Sequence, residues 1–361
     1  MNTLRRLPLS RLLLLCGLVV ALGISATALA SALSTGPTPP PKPLANAVHD
    51  ALAGPPVEGV SANIQLTDHL LEGANLASGG DSAGAAGQFL SSPLLTGASG
   101  RMWIAKDGRV RLELQAEKGD TQVLYDGHTV TIYDAASNTL YRYTPPAGSE
   151  PETPAEHHEV PTVAKIEEAI SHLDHVNVSG ATPTDVTGQA AYTVRVSPKE
   201  PGSLIGGGEL SWDAVHGVPL RAAIYSSTSS SPTIELAATK ISYGPVESSI
   251  FQFTPPATAT VDEIKSPEHS GADSSEGGEH PTVTTHGQGL STIAVLEAKA
   301  KSGSSPPSLP EGLQQVKING VNASELPTEL GTLLTFERSG VRYLLAGALP
   351  PSAVEAVAKG L

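Results

Sequence analysis

The sequence predicts an α+β fold that is mainly β, and two observations carry that prediction. From Arg101 onward, short runs of alternating apolar and polar residues follow one another, separated by hairpin signals such as Asp107-Gly108 and Asp126-Gly127. A single amphipathic helical segment, residues 161–173, interrupts two such series. Antiparallel meanders of this kind have one apolar and one polar face, so we expect a curved sheet with helices packed across it.

The first thirty residues predict a secretory signal peptide. Residues 1–11 contain three arginines and no acidic residue, an apolar run follows over residues 12–24, and the cleavage-site pattern Ala-Leu-Ala follows at 28–30. The alternative is an uncleaved anchor, because residues 12–30 approach the roughly 20 residues that span a bilayer. We therefore expect a secreted or cell-envelope, extracytoplasmic protein, which is membrane-tethered if this segment stays.

The charge and the cysteine content exclude several function classes. Cys16 is the only cysteine and lies inside the signal segment, so we expect no disulfide in the mature chain. Without residues 1–30, the chain has 19 basic and 36 acidic residues, a formal charge of −17. Such a chain repels phosphate backbones, so we expect no nucleic-acid partner.

The N-terminal half divides into elements by composition. Residues 31–43 form a proline-rich spacer, 44–53 a helix that Gly54-Pro55-Pro56 ends, and 60–71 a strand. Residues 73–100 are rich in Gly, Ser and Ala and predict a long loop. Strands follow around Val110 to Leu114, Val123 to Tyr125, Val130 to Ile132 and Leu140 to Tyr143.

The C-terminal half continues the pattern and ends in a separate module. Strands are predicted at residues 190–197, 208–213, 218–225, 233–243 and 250–254, so the main domain spans 44–264. Residues 265–289 are rich in Gly, Ser and His and predict a linker. Residues 290–361 predict a small α+β module with a helix at 290–301, three strands and a final helix that a capping box at Ser352 begins.

No residue pattern supports catalysis or a metal site. Asp126 and His128 fit a hairpin turn, and Gly206-Gly207-Gly208 fits a bulge rather than a phosphate loop. Neither His157-His158 nor the set Glu168, His172 and His175 has a defined metal-ligand spacing. We therefore expect a protein that is not an enzyme and has no cofactor and no metal.

Several short stretches, in order, resemble the LolA/RseB-like family of outer membrane lipoprotein carriers and regulators over about residues 44–264. They are Arg101-Met-Trp-Ile, Asp107-Gly-Arg-Val-Arg-Leu-Glu-Leu, Gly119 to Gly127, Val130-Thr-Ile-Tyr-Asp, Leu210-Ser-Trp-Asp, Gly217-Val-Pro-Leu-Arg, Ile241-Ser-Tyr-Gly and Phe251 to Pro256. The resemblance implies an unclosed antiparallel β-barrel capped by helices, with an apolar cavity for acyl chains. The long loop at 73–100 and the module at 290–361 depart from the simple carriers.

The pattern alone leaves open whether the apolar face is a filled core or the wall of a cavity. The resemblance favours a cavity that holds a lipid or lipoprotein acyl chain, with a regulator acting on a membrane-associated protein partner as the alternative. The inward-facing candidates for ligand binding are Val110, Leu112, Leu114, Val123, Tyr125, Val130, Ile132, Tyr192, Val194, Val196, Leu210 and Trp212. A register slip of one residue would invert this assignment.

Overall fold

A computed structural model describes residues 36–72, 97–116, 119–144, 160–264, 282–299 and 313–361 of the chain. The predicted signal peptide, most of the predicted loop at 73–100 and the histidine pair at 157–158, which is not predicted to bind a metal, lie outside these ranges, as does most of the predicted linker. In the described part of the chain, no helix is long and apolar enough to cross a membrane.

Of the two sheets in the described part of the chain, the larger contains the first thirteen strands. They are β1 Gly59–Asp68, β2 Ala98–Ala105, β3 Val110–Ala116, β4 Gly119–Tyr125, β5 Val130–Asp134, β6 Thr139–Tyr143, β7 Val176–Val178, β8 Thr182–Val186, β9 Gln189–Pro198, β10 Ile205–Asp213, β11 Pro219–Ser226, β12 Pro232–Tyr243 and β13 Thr260–Ile264. Their order is β13-β6-β5-β4-β3-β2-β1-β12-β11-β10-β9-β7, with β8 also on β9. Pairing is antiparallel except between β13 and β6. Since β13 and β7 end the path without meeting, the predicted unclosed antiparallel sheet is confirmed.

Within the described ranges, two helices accompany this sheet, at the positions that their apolar stripes predict. Helix α1, Leu44–Ala53, follows Pro43 and ends before Gly54. Helix α2, Val163–Ser171, begins after Thr162, whose hydroxyl oxygen accepts the amide of Lys165 at 3.4 Å. The spacer before α1 is tied to the sheet, because the Tyr192 hydroxyl donates to the Pro40 carbonyl at 2.6 Å.

The C-terminal residues form a second sheet with its own core. Its strands are β14 Thr282–His286, β15 Ile293–Lys299, β16 Gln314–Ile318, β17 Val321–Thr328, β18 Gly331–Arg338 and β19 Val341–Gly347, in the order β14-β15-β19-β18-β17-β16. Helix α3, Pro351–Gly360, covers one face. Val295, Leu334 and Leu345, all fully buried, pack there against Val354 of the helix.

Four details of the predicted elements are wrong. The helix expected at 290–301 is strand β15, because Ile293 and Val295 alternate with less buried neighbours at the two-residue period of a strand. Strand β14 lies inside the segment predicted as linker. The capping box at Ser352 does not form: Pro350 precedes α3 and no side chain caps it. Residues 250–254, predicted as a strand, belong to a 3₁₀ turn, Ser248–Phe251, and the extended segment after it.

Candidate ligand-binding face

The strand register places all twelve predicted ligand-binding residues on one face of the large sheet, which we call the apolar face. In the first half, Val110, Tyr125 and Val130 lie directly opposite one another, and so do Leu112, Val123 and Ile132. In the second half, Val194 pairs with Leu210 and Tyr192 with Trp212. Ala222, Leu236, Leu66 and Ala98 continue the Leu210 row across β11, β12, β1 and β2, so the two halves share the face.

The second half of the apolar face is filled core. Tyr192, Val194, Leu210 and Trp212 are each at most 2% exposed and pack against Ala47 and Ala51 of α1. Val196 is also buried, and it packs with Val176 and with Leu173, which follows α2. Because α1 packs against the first four of these residues, and Leu173 and Val176 pack against Val196, the five do not line an open cavity.

The first half of the apolar face is more open. Six of the predicted residues are only half-buried there, namely Val110, Leu112, Val123, Tyr125, Val130 and Ile132. Leu114 is the exception, at 1% exposure, and packs with Ala62, Ile64 and Ala98. The register adds four half-buried side chains that the sequence analysis missed: Met102, Ile104, Tyr141 and Tyr143. We call these ten half-buried residues the open patch.

The opposite face of the same strands is covered by the chain itself. Leu124, Tyr133 and Leu140 are buried on that face, and the Phe253 ring lies 5.4 Å from the Tyr133 ring. The Arg111 guanidinium donates to the Ile250 carbonyl at 2.7 Å and holds this segment in place. The expectation of a polar outer face is therefore wrong at Leu124, Tyr133 and Leu140, although Gln122, Thr131 and Arg142 on the same face are polar.

In the second half, the outer face carries a connected polar network. The Glu209 carboxylate accepts from Arg195 at 2.8 Å, from Arg221 at 2.7 Å and from the Tyr225 hydroxyl at 2.7 Å. Burial opposes ionisation of Glu209, but the hydrogen bonds from Arg221 and Tyr225 outweigh it and hold the pKa of Glu209 below its usual value. Arg221 also pairs with Glu235, so this network joins β9 to β12.

A cleft of about 420 Å³ lies at the end of β1 and is lined by residues of both faces of the sheet, since Gln65, Ser99 and Gln115 form one row on the outer face. Leu66, Ala98 and Ala116 form its apolar wall, and Asp68, His69 and Gln65 are among its polar residues. Burial raises the pKa of the Asp68 carboxyl, although the Leu70 amide, which donates to it at 2.7 Å, acts in the opposite direction. The His69 ring contacts the Glu72 carboxylate at 2.9 Å.

The residues that resemble catalytic or metal-binding groups have structural partners. The Asp126 carboxylate accepts the amides of His128 at 2.9 Å and Thr129 at 2.8 Å, which confirms the hairpin turn. The ring of His172 bonds to the Glu168 carbonyl, and that of His175 to Glu200. Within the described ranges, no three His, Cys, Asp or Glu side chains are placed to hold a metal ion.

Asp213 and Tyr243 form a further polar cluster that the sequence analysis did not single out. The Asp213 carboxylate accepts the amides of Val215 and His216 and, at 2.9 Å, the Tyr243 hydroxyl. Burial and the neighbouring Asp213 carboxylate raise the pKa of Tyr243. The cluster fixes the β10–β11 turn against the end of β12.

No protein-family model matches the sequence, and no curated protein sequence matches it. Among solved structures, the MucA/MucB complex of Pseudomonas aeruginosa matches at 14% identity and a TM-score of 0.44, over 87% of this chain and 95% of that one. A putative outer membrane lipoprotein-sorting protein domain from Vibrio parahaemolyticus matches at 10% identity and a TM-score of 0.20, over 57% of this chain and 95% of that one. A LolA superfamily protein from Nitrosomonas europaea matches at 8% identity and a TM-score of 0.18, over 84% of this chain and 91% of that one.

Proposed function

We propose that this chain is an extracytoplasmic binding protein of LolA-like type that holds a lipid or lipoprotein acyl chain on the open patch. The observation that carries the proposal is the contrast along one face: the residues under α1 are sealed, whereas Leu112, Val123 and Ile132 stay half-buried in a continuous cross-strand row. Each CH₂ group that leaves water contributes about 0.8 kcal/mol, so complete coverage of a ten-carbon chain contributes about 8 kcal/mol, close to the free energy of micromolar binding, and partial coverage contributes less.

The test is direct binding of an alkyl ligand to purified protein from which any bound lipid has been removed by organic extraction. Val123→Trp fills part of the open patch and should weaken binding of decyl maltoside at least about tenfold, since it displaces two or more CH₂ groups. Asn63→Trp is the matched control, because Asn63 is exposed on the opposite face of β1. Mass spectrometry of the extract should also show a co-purified lipid.

Two results would contradict the proposal. One is the absence of any lipid in the extract together with no uptake of added alkyl ligand. The other is an equal loss of binding in Val123→Trp and Asn63→Trp, which would show that the open patch is not the site.

A second candidate function is regulation of a membrane-associated envelope protein through the C-terminal module. The observation in its favour is that the module has its own core and yet is joined to the large sheet at two places. The Ala348 carbonyl accepts the Leu204 amide at 2.8 Å, and the Leu70 carbonyl accepts the Glu329 amide at 3.0 Å. Deleting residues 282–361 should abolish capture of a protein partner while alkyl binding persists; an unchanged set of partners would exclude this role.

A further inference from the structure

Glu325 is a buried carboxylate in the C-terminal module, on the face of the second sheet that α3 covers. It follows Ala323 on β17 at the two-residue period of a strand, and it lies directly opposite Leu334, so the three residues share the covered face. Glu325 is 1% exposed, and within the described part of the chain its Oε1 atom is buried without a hydrogen-bond partner. An ionised carboxylate in this place has lost its hydration and has gained no donor at Oε1, which is costly.

Two charged side chains of α3 act on Glu325. Glu355 repels a negative charge there and Lys359 attracts it, but Lys359 is already paired with Glu355 at 2.7 Å. Burial, and after it Glu355, raise the pKa of the Glu325 carboxyl. A proton on Glu325 therefore removes both costs, because a neutral carboxyl needs less hydration and Glu355 no longer repels it.

The described strands beside Glu325 bring no opposite charge to it. Gln314 on β16 and Leu334 on β18 lie directly opposite Glu325, and both are uncharged. Lys317 lies on the other face of β16, and Arg338 shares the covered face but lies four residues, about 14 Å, beyond Leu334. The charge state of Glu325 therefore acts mainly between the second sheet and α3.

Helix α3 can separate from the sheet without breaking a strand ladder. Among the described residues, it makes no backbone hydrogen bond to a strand, and no side chain caps its first turn. The Asn319 side-chain amide ties it to the sheet by donating to the Lys359 carbonyl at 2.9 Å. Side-chain packing does the rest, through Val354 and Ala358, both fully buried. A segment held in this way opens at a lower free energy than the strands beneath it.

We propose that Glu325 is a proton-operated switch, which holds α3 closed on the second sheet when it is protonated and releases α3 when it ionises. In the open form Glu325 meets water, so its carboxyl binds a proton less tightly there than in the closed form. The closed form is therefore favoured at acidic pH and loses this advantage as the pH rises through the raised pKa, by up to about tenfold per pH unit. Opening exposes apolar surface at Leu334 and Leu345, and it needs no ligand on the open patch.

Hydrogen exchange of the purified protein at pH 5, 6 and 7.5, corrected for the intrinsic pH dependence of exchange, tests the switch. Peptides of α3 should lose protection at least about threefold between pH 5 and pH 7.5, whereas peptides of β18 should keep theirs. Glu325→Gln should keep α3 protected at all three pH values, because its side chain stays neutral. Glu337→Gln is the matched control: Glu337 is exposed on the opposite face of β18, so the wild-type pH dependence should persist.

Three outcomes of the exchange experiment would overturn the switch. They are α3 protection that does not change with pH in the wild type, an equal pH dependence in Glu325→Gln and Glu337→Gln, and an equal loss of protection in α3 and β18. In the last case the proton acts on the whole module. If Glu325→Gln does not fold, the NMR signal of the Glu325 carboxyl decides: titration at a higher pH than Glu337 supports the switch, and titration at the same pH contradicts it.

Discussion

Shortening three leucines to alanine should separate the filled part of the apolar face from the open part. Leu114 and Leu210 are each 1% exposed, whereas Leu112 is half-buried. Leu→Ala removes three carbon groups worth about 0.8 kcal/mol each when they are fully buried, and the cavity left behind adds to the loss. We expect Leu114→Ala and Leu210→Ala to lower the free energy of unfolding by about 3 kcal/mol, and Leu112→Ala by about 1 kcal/mol.

Urea unfolding followed by tryptophan fluorescence measures this difference without interference from the C-terminal module. The chain has two tryptophans, Trp103 and Trp212, and both belong to the large sheet. A bound ligand stabilises the native state in proportion to the logarithm of its concentration over its Kd. The added stability from saturating decyl maltoside should therefore shrink in Leu112→Ala and persist in Leu210→Ala. If Leu112→Ala lowers the free energy of unfolding as much as Leu114→Ala does, the open patch is ordinary core and the reasoning is refuted.

Three further variants test individual interactions. Burial and repulsion from Glu355 raise the pKa of the Glu325 carboxyl. The contribution of Glu325 to stability is therefore present at acidic pH and lost as the pH rises through that pKa. Glu325→Gln should raise the calorimetric Tm at pH 7 and not at pH 4. The pKa of Glu209 is lowered, so its contribution to stability is present above the usual glutamate pKa and lost on acidification. Glu209→Gln should lower the free energy of unfolding, measured with urea, by about 1 kcal/mol at pH 7 and by less at pH 3. Gly206→Val should lower the free energy of unfolding by about 2 kcal/mol or more in the same assay, because a Cβ at Gly206 would collide with the Ser227 backbone. An unchanged unfolding transition would contradict the bulge at Gly206.

The alternating pattern was sufficient to predict the large sheet and its apolar face. Period-two alternation, as in Val110, Leu112 and Leu114, assigns side chains to faces once the turns set the register, and Asp126-Gly127 is such a turn. The residue Asn138, with φ of 47°, occupies the next turn in the left-handed conformation that asparagine tolerates. Local signals of this kind therefore identified twelve residues of the apolar face, although not Met102, Ile104, Tyr141 and Tyr143, which share it.

The division of that face into core and open patch depends on contacts between residues distant in sequence. Nothing near Tyr192 or Trp212 indicates that α1, more than a hundred residues earlier, packs on them. Likewise, Phe253 covers Tyr133 across 120 positions, which is why the second apolar face of β4–β6 was missed. The helix predicted at 290–301 is wrong because its apolar residues fit both periods, and pairing with β14 and β19 decided for a strand.

Spin-labelled fatty acid and methyl NMR together test the central claim, that an alkyl chain occupies the open patch. A nitroxide on the chain broadens methyl signals near its binding site, so the signals of Val110, Leu112, Val123, Val130 and Ile132 should lose intensity. Those of Val194 and Leu210, sealed beneath α1, should keep it. Uniform retention of all methyl signals, or selective loss at Val194 and Leu210, would contradict the account.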